Sequence, residues 1–257
     1  MTAVIVTQGL LDLLRERRFA HAAWRGDRLK VGERISVPED CRLEPHAQMF
    51  FGYLLPASMG AFTYSHSQLD GRLEIGRYGS IGSGVTWIGD PHPLDWASTS
   101  PFSYGAGPLQ GVMTYFRDHV RGDAANQWTF SPPDQRIRLG HDVWIGDQAS
   151  IGPGVSIGDG AVIGARSLIL EDVPPYAVMV GAPARVLRMR FPEALVERLR
   201  ALAWWRYGPD LLVELPVPQP ERFIEALEAR IAAGGVQPFA PQPITHDEIL
   251  AVAEPMR

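Results

Sequence analysis

A six-residue period dominates the middle of this 257-residue chain. From Leu139 the sequence runs LGHDVW, IGDQAS, IGPGVS, IGDGAV, IGARSL and ILEDVP, so six consecutive hexads each begin with an aliphatic residue. Glycine takes the second position in five of these hexads, and the fifth position is always small or β-branched. A shorter run with the same phase comes earlier in the chain and is led by Leu69, Ile75, Ile81 and Trp87.

This period fits neither the 3.6-residue repeat of an α-helix nor the simple alternation of one flat strand. It predicts a parallel β-helix in which the leading aliphatic residue points inward and glycine lets the backbone turn beside it. Successive coils would then stack at the inter-strand spacing of about 4.8 Å. A β-sandwich fits less well, because its turns recur about every 8 to 12 residues.

Composition excludes several classes of protein. The net charge is −5, so the chain lacks the concentrated positive charge that a nucleic-acid binder needs. Cys41 is the only cysteine, which excludes an intrachain disulfide and a cysteine-cluster metal site and fits a reducing, cytoplasmic setting. The first residues have no basic region ahead of their apolar stretch, and no uncharged apolar stretch is long enough to span a membrane. We therefore expect neither secretion nor a membrane span.

The segments WIGDPHPLDWASTSPF and LGHDVWIGDQASIGPGVSIGDGAVIGARSLILEDVPPYAVMVGAPARVLRMRF resemble the hexapeptide-repeat acyltransferases, and most closely their xenobiotic and streptogramin acetyltransferase branch. The resemblance covers roughly Met59 to Phe191. It implies a mainly β fold, the left-handed parallel β-helix, and a homotrimer. It also implies acetyl transfer from acetyl-CoA to a hydroxyl of a small molecule or sugar.

Around this core we expect an N-terminal cap over residues 1–58 and the β-helix over residues 59–190. Within the β-helix the register breaks at about residues 93–137, and the aromatic content of this insertion favours an ordered loop. Residues 191–257 show helical spacing of apolar residues and a capping-box pattern, which predict a C-terminal helical extension.

Acetyl transfer from a thioester to an alcohol needs a base, donors for the oxyanion, and a slot that aligns the acyl donor. Among the seven histidines, His92 lies where the first hexad run stops, between two prolines, and the resemblance makes it the general base. The alternative is that His92 is only a polar turn residue. Asp95 could orient the imidazole as the carboxylate of a catalytic triad does, or it could cap a turn. Ser98 and Thr99 could shape the acceptor side.

The resemblance also assigns residues to the acetyl-CoA site. Trp144 takes the place of an aromatic residue near the catalytic histidine, in the groove between subunits, although it could simply pack on a neighbouring subunit. The remaining expected CoA contacts lie on turns of the later coils and on the exit segment: Asp147, Ala165, Leu170, Glu171, Arg185 and Arg188. The two arginines would pair with phosphates, unless they form a solvated basic edge.

Two departures from the family pattern concern this donor site. Leu170-Glu171 stands where relatives usually carry Thr-Lys, which removes a cation and adds an anion, and Arg166 replaces a usual glycine. The alternatives to an acetyltransferase are a non-catalytic trimeric scaffold and a metal enzyme of the γ-carbonic-anhydrase kind. The metal enzyme needs converging histidines, whereas His141 has no second histidine four or five residues later, so we predict no metal site.

Overall fold

The computed structural model describes residues 1–23, 26–89, 91–104, 110–119, 128–133 and 135–255. The first eleven strands are β1 (Thr2–Ile5), β2 (Ala20–Ala23), β3 (Gly26–Asp27), β4 (Arg34–Val37), β5 (Arg42–Leu43), β6 (Gln48–Met49), β7 (Ser58–Met59), β8 (Tyr64–Ser65), β9 (Leu73–Ile75), β10 (Ser80–Ile81) and β11 (Thr86–Trp87). The later strands are β12 (Ile137–Leu139), β13 (Trp144–Ile145), β14 (Ser150–Ile151), β15 (Ser156–Ile157), β16 (Val162–Ile163), β17 (Leu168–Ile169), β18 (Ala177–Gly181), β19 (Ala184–Met189), β20 (Ile244–Thr245) and β21 (Glu254–Pro255).

The α-helices are α1 (Gln8–Glu16), α2 (Gln110–His119), α3 (Glu193–Leu202), α4 (Pro209–Leu212), α5 (Pro220–Ala233) and α6 (His246–Val252). Short 3-10 turns cover Pro101–Ser103 and Trp204–Arg206.

The strands of the repeat form three faces of parallel ladders. The first face contains β2, β6, β8, β10, β13, β16 and β18, the second contains β11, β14 and β17, and the third contains β5, β7, β9, β12 and β15. Ile145 pairs with Ile163, eighteen residues later, so one coil comprises three hexads. A side chain at Gly76 would place its Cβ 2.5 Å from the carbonyl oxygen of Gly140, so the close stacking of coils requires glycine there.

The leading aliphatic residues of the hexads fill the interior, as the period predicts. The buried set comprises Leu139, Ile145, Ile151, Ile157, Ile163 and Ile169, each less than 5% exposed. Burial of such side chains contributes roughly 1.5 to 3 kcal/mol each, which makes this column the main stabilising feature of the coils.

The parallel ladder begins earlier than residue 59, so the expected cap over residues 1–58 includes β-helix. Leu43 pairs with Met59, and Met49 pairs with Ser65, in the same parallel sense as the later coils. These early pairs join residues sixteen apart rather than eighteen. The two missing residues per coil break the six-residue phase, which explains why the sequence pattern did not extend to them.

The N-terminal strand β1 pairs antiparallel with β4 and with β21. Helix α1 begins after its N-cap Thr7 and buries Leu10, Leu11 and Leu14 in the same core as the β-helix interior. Strand β20 pairs antiparallel with β5 and covers that edge of the third face.

A second buried cluster packs beside the β-helix, where Trp204 contacts Tyr78 with 5.0 Å between ring centroids. Strands β18 and β19 form an antiparallel hairpin, and helices α3 and α5 pack together after it. This cluster includes Leu199, Phe223 and Leu227 from the helices and Tyr176 from the β-helix. Thr245 and Glu248 form a capping box at the start of α6, which begins at the place where the sequence pattern predicts a helix.

The chain leaves the ladder after Ile88 and returns at Arg136. Residues 89–135 form a compact unit of their own, separate from the unit of residues 1–88 and 136–257. The ladder resumes in register, because Ile81 pairs with Ile145 and then Ile145 pairs with Ile163. The insertion carries a 3-10 turn and helix α2, and Val120 to Gln127 lie outside the described residues.

Candidate active site

The imidazole of His92 is held through Nδ1 within the inserted unit. Nδ1 lies 2.7 Å from the carbonyl oxygen of Thr99 and 2.7 Å from the hydroxyl oxygen of Tyr104. The Tyr104 hydroxyl also donates to the Thr99 carbonyl at 3.1 Å. A carbonyl oxygen can only accept, so Nδ1 must carry the proton. In the neutral ring Nε2 then keeps its lone pair, which is the tautomer that a general base needs.

Aromatic side chains fix Tyr104 in place. Its ring packs edge-on against Trp96 at 5.4 Å and against Phe130 at 5.3 Å between ring centroids. Trp96 and Phe130 also meet each other edge-on at 6.1 Å. Such edge-to-face pairs are favourable beyond the area they bury. The His92 ring is exposed, so a substrate hydroxyl has access to it.

Asp95 does not have the orienting position that the sequence suggests. Its carboxylate is exposed, and in the described part of the chain it makes no hydrogen bond to His92. The physical reason is that the Thr99 carbonyl and the Tyr104 hydroxyl already occupy Nδ1. Sequence reasoning considered Thr99 only as a shaper of the acceptor side and missed Tyr104. The density of aromatic residues in the insertion was the one signal that could have indicated it.

Trp144 lies on the first face of the β-helix, in β13. Its side chain is 57% exposed and points outward between Ser80 on one neighbouring coil and Val162 on the next. Tyr64 lies one coil before Ser80 and is also exposed. The outward residues Gln48, Tyr64, Ser80, Trp144 and Val162 along this face carry no charge.

Asp147 has a structural role that the sequence did not reveal. Its Oδ1 accepts the backbone N–H of Ser83 on the preceding coil at 2.8 Å. Asp159 accepts the N–H of His141 in the same way, also at 2.8 Å. The carboxylate that we expected at the CoA site therefore ties two coils together through one of its oxygens.

The turn that contains Ala165 is exposed and faces outward between strands β16 and β17. Arg166 follows it with φ of 60°, the left-handed conformation for which glycine is usual. Its Nε donates to Gln148 on the preceding coil at 2.9 Å. Leu170 and Glu171 are exposed on the next turn.

The arginines of the exit segment divide into two kinds. Arg185 and Arg188 are exposed on β19, and each donates only to a backbone carbonyl adjacent to it. Arg190 pairs with Asp142 at 2.9 Å and donates to the carbonyl of Gly160 at 2.7 Å. Within the described ranges, therefore, Arg185 and Arg188 are free of carboxylate partners, whereas Arg190 is part of the packing against the last coils.

The described residues contain no group of three or more His, Cys, Asp and Glu side chains that could hold a metal ion. Among the helices of the same ranges, none has the length and hydropathy that crossing a membrane requires.

Comparison with known proteins identifies the family of the repeat. The family model of bacterial transferase hexapeptide (six repeats) matches residues 136–171. A probable macrolide acetyltransferase from Lysinibacillus sphaericus is 34% identical over 160 residues, which cover 61% of this chain and 82% of that protein. The chain belongs to the hexapeptide-repeat acyltransferases. Within this family it is similar to the xenobiotic acetyltransferase branch, and its β-helix is of the left-handed kind.

Other members of the hexapeptide-repeat acyltransferases match over less of their length. A chloramphenicol acetyltransferase from Morganella morganii is 38% identical over 152 residues, 57% of this chain and 66% of that protein. The chain thus spans just under two thirds of that relative. Among solved structures, a hexapeptide-repeat-containing acetyltransferase from Vibrio cholerae is 23% identical, with a TM-score of 0.32 and coverage of 62% of this chain and 64% of that chain.

Proposed function

We propose that this protein is an acetyl-CoA-dependent O-acetyltransferase that acts on a hydroxyl of a small molecule or sugar, with His92 as the general base. The observation that carries this proposal is the bond from Nδ1 to the Thr99 carbonyl, because it leaves Nε2 able to accept a proton. The names of the relatives, which are chloramphenicol, macrolide and virginiamycin acetyltransferases, support acetyl transfer to an antibiotic-like acceptor.

In the proposed reaction, Nε2 removes the acceptor's hydroxyl proton as the oxygen attacks the thioester carbonyl of acetyl-CoA. The tetrahedral intermediate then collapses, the carbon–sulfur bond breaks, and the imidazolium returns its proton to the thiolate. Backbone N–H groups would hold the oxyanion. The Thr99 carbonyl and the Tyr104 hydroxyl stabilise the imidazolium while it carries both protons.

The donor would bind along the later coils, where Ala165, Leu170 and Glu171 lie exposed on successive turns. Arg185 and Arg188 would pair with the phosphates of CoA, because each is exposed and neither is neutralised by a carboxylate within the described residues. In this proposal Trp144 forms a wall of the site in a groove between subunits of a homotrimer. Sedimentation at three times the 28.3 kDa chain mass is the expected result for the assembly.

The acceptor would lie against the first face. Its outward residues from Gln48 to Val162 are uncharged and include Tyr64 and Trp144, two coils apart with only Ser80 between them. By contrast, the third face carries Arg42 and Glu74 at its outward positions. An uncharged, ring-bearing alcohol fits the first face better than a charged one, because no charge there offsets the loss of water from an ion.

The test of this function is release of free thiol from acetyl-CoA in the presence of chloramphenicol, a streptogramin, a macrolide or simple sugars. His92→Ala should lower turnover by about 10² to 10⁴, the usual contribution of a general base. Binding of acetyl-CoA should stay near normal in that variant. Full activity of His92→Ala would refute the role of His92.

Two further measurements separate the alternatives. A scaffold would show no shift of melting temperature with acetyl-CoA, whereas a ligand at a hundred times its Kd stabilises a protein by about 2.7 kcal/mol. A metal enzyme of the γ-carbonic-anhydrase kind would retain stoichiometric zinc after purification. Arg185→Ala with Arg188→Ala should raise the KM for acetyl-CoA and leave kcat nearly unchanged, and an unchanged KM would contradict the phosphate assignment.

A further inference from the structure

A cleft of about 750 Å³ lies between the third face of the β-helix and the C-terminal extension. Ser58 and Gly76 are part of its wall on the β-helix side. The opposite side is formed by Trp205 and by the segment of residues 237–243, here named the C-terminal strap. None of the nine residues predicted for acetyl transfer lines this cleft. Its volume is that of an ordinary small-molecule site.

The C-terminal strap is fixed at several points along its length. The N–H of Phe239 donates to the carbonyl of Arg206 at 2.7 Å, and Nη1 of Arg77 donates to the carbonyl of Phe239 at 2.9 Å. Arg17 donates to the carbonyls of the last two strap residues at 3.0 and 3.2 Å. Strand β20 then follows directly and pairs with β5. Hydrogen bonds therefore fix this wall of the cleft in the middle of the strap and at its C-terminal end.

Glu44, the one carboxylate among the described residues that line the cleft, is already neutralised. Glu44 receives two bonds from Arg77, at 2.7 and 2.8 Å, and a third from the N–H of Ala61 at 2.9 Å. Burial favours the protonated acid, but these bonds outweigh it and hold the pKa of Glu44 below its ordinary value. Glu44 therefore does not neutralise the other cations of the cleft.

Two of those cations remain available. Arg42 and Arg206 line the cleft, are exposed, and form no side-chain hydrogen bond or ion pair with the described residues. His141 adds a neutral donor, because its Nδ1 accepts the N–H of Arg77 at 3.0 Å and the proton of the neutral ring must then lie on Nε2. The His141 ring stacks on Trp205 at 5.0 Å with 10° between the planes, which holds it at the cleft wall.

We propose that this cleft binds a small organic anion, an oxyanion such as a carboxylate that carries an apolar ring or chain. The surplus of cationic donors from Arg42 and Arg206 would bind the oxyanion, since guanidinium groups match it in geometry and charge. The apolar body would contact the half-buried Phe239 together with Pro238 and Pro241 of the C-terminal strap. None of the residues proposed for acetyl transfer lines the cleft, so this proposal does not depend on the proposed function.

Isothermal titration of the full-length protein with benzoate, benzyl alcohol and inorganic phosphate tests the chemical class. Benzoate should bind at least about tenfold more tightly than benzyl alcohol, since one charge-assisted hydrogen bond is worth about that factor. Equal affinity for benzoate and benzyl alcohol would overturn the role of the arginines. Phosphate binding as tight as that of benzoate would show that the apolar wall plays no part and would overturn the organic half of the proposal.

Variants locate the site. Arg42→Gln with Arg206→Gln should weaken benzoate binding about tenfold or more, whereas Arg34→Gln, an exposed arginine that does not line the cleft, should leave it unchanged. Because the side chains of Arg42 and Arg206 have no partners within the described residues, we expect both variants to keep the wild-type melting temperature. Retained affinity in the double variant would refute the proposal.

Two readouts keep the test independent of variant folding and of acetyl transfer. With ¹⁵N-histidine labelling of the wild type, benzoate should shift the Nε2 signal of His141, and an unmoved signal would count against the cleft. Acetyl-CoA should not displace benzoate, and competition between the two would show that the cleft belongs to the donor site instead.

Discussion

Tyr104→Phe tests the central feature of the candidate active site, which is orientation of the base by a backbone carbonyl and a phenol instead of a carboxylate. The substitution removes the hydroxyl that lies 2.7 Å from Nδ1 of His92 and keeps the ring that packs on Trp96 and Phe130. The packing of the insertion should therefore survive, and the change in rate should report on the imidazole.

The size of the fall in rate follows from the hydrogen bonds that Nδ1 of His92 keeps in Tyr104→Phe. In the transition state the imidazole becomes a cation, and a hydrogen bond to a charged group contributes roughly 1.5 to 3 kcal/mol. The carbonyl oxygen of Thr99, 2.7 Å from Nδ1, still accepts the Nδ1 proton after Tyr104→Phe, so we expect a loss of free energy at the low end of that range. A loss of about 1.4 kcal/mol is tenfold in rate, and we expect kcat/KM to fall about tenfold.

Asp95→Asn is the matched control, because Asp95 is exposed and makes no bond to the ring within the described residues. It should change kcat/KM less than about threefold, whereas His92→Ala should lower turnover by about 10² to 10⁴. All variants are assayed by thiol release with whichever acceptor gives turnover in the screen. Orientation of His92 by Thr99 and Tyr104 would be refuted if Asp95→Asn lowered kcat/KM as far as His92→Ala does while Tyr104→Phe changed it less than twofold.

Three further predictions address stability and donor binding. Ile151→Ala should lower the free energy of unfolding by about 2 to 5 kcal/mol in urea titrations, because Ile151 is fully buried in the column of aliphatic residues, and a loss below 1 kcal/mol would contradict that packing. Glu171→Lys should lower the KM for acetyl-CoA, since it replaces an exposed anion at the proposed CoA site with a cation. An unchanged KM would count against the placement of CoA along the later coils. Burial lowers the pKa of His141, so the unfolded chain binds a proton more readily and stability should fall as pH drops from about 6.5 towards the folded value. His141→Gln should therefore reduce the slope of melting temperature against pH in this range. The buried His21, whose pKa is also lowered, contributes a slope of its own that should remain in the variant. A slope unchanged by His141→Gln would contradict the lowered pKa of His141.

The interior of the β-helix could be predicted from sequence because the same physical requirement recurs in each coil. Ile145 and Ile163 occupy equivalent positions, and a residue of the wrong size at either would leave a cavity or a clash. The earlier coils escaped detection, since Leu43 and Met59 are sixteen residues apart and the hexad phase fails there.

The environment of His92 could be predicted only in part. The position of His92 between prolines, at the end of a hexad run, indicates a functional residue. The sequence does not indicate the group that orients its ring, which is the carbonyl of Thr99. A backbone carbonyl is present at every residue and carries no sequence signal. Asp95 has the right chemistry at a plausible spacing, and the loop geometry directs Nδ1 elsewhere.

Asp147, Asp159 and Asp172 show how function can be separated from structure in such a repeat. Each accepts a backbone N–H of an earlier coil at 2.8 Å, so the same bond occurs three times along the β-helix. The three aspartates follow strands of the three different faces, so these bonds stabilise coil stacking at each corner, whereas one bound molecule would be contacted at a single place. The exposed Trp144 and Glu171 depart from the repeat, and in the described part of the chain their side chains make no such bond between coils. The residues that define substrate and donor should therefore be found among the departures from the hexad pattern, and variants there should change kinetics more than stability.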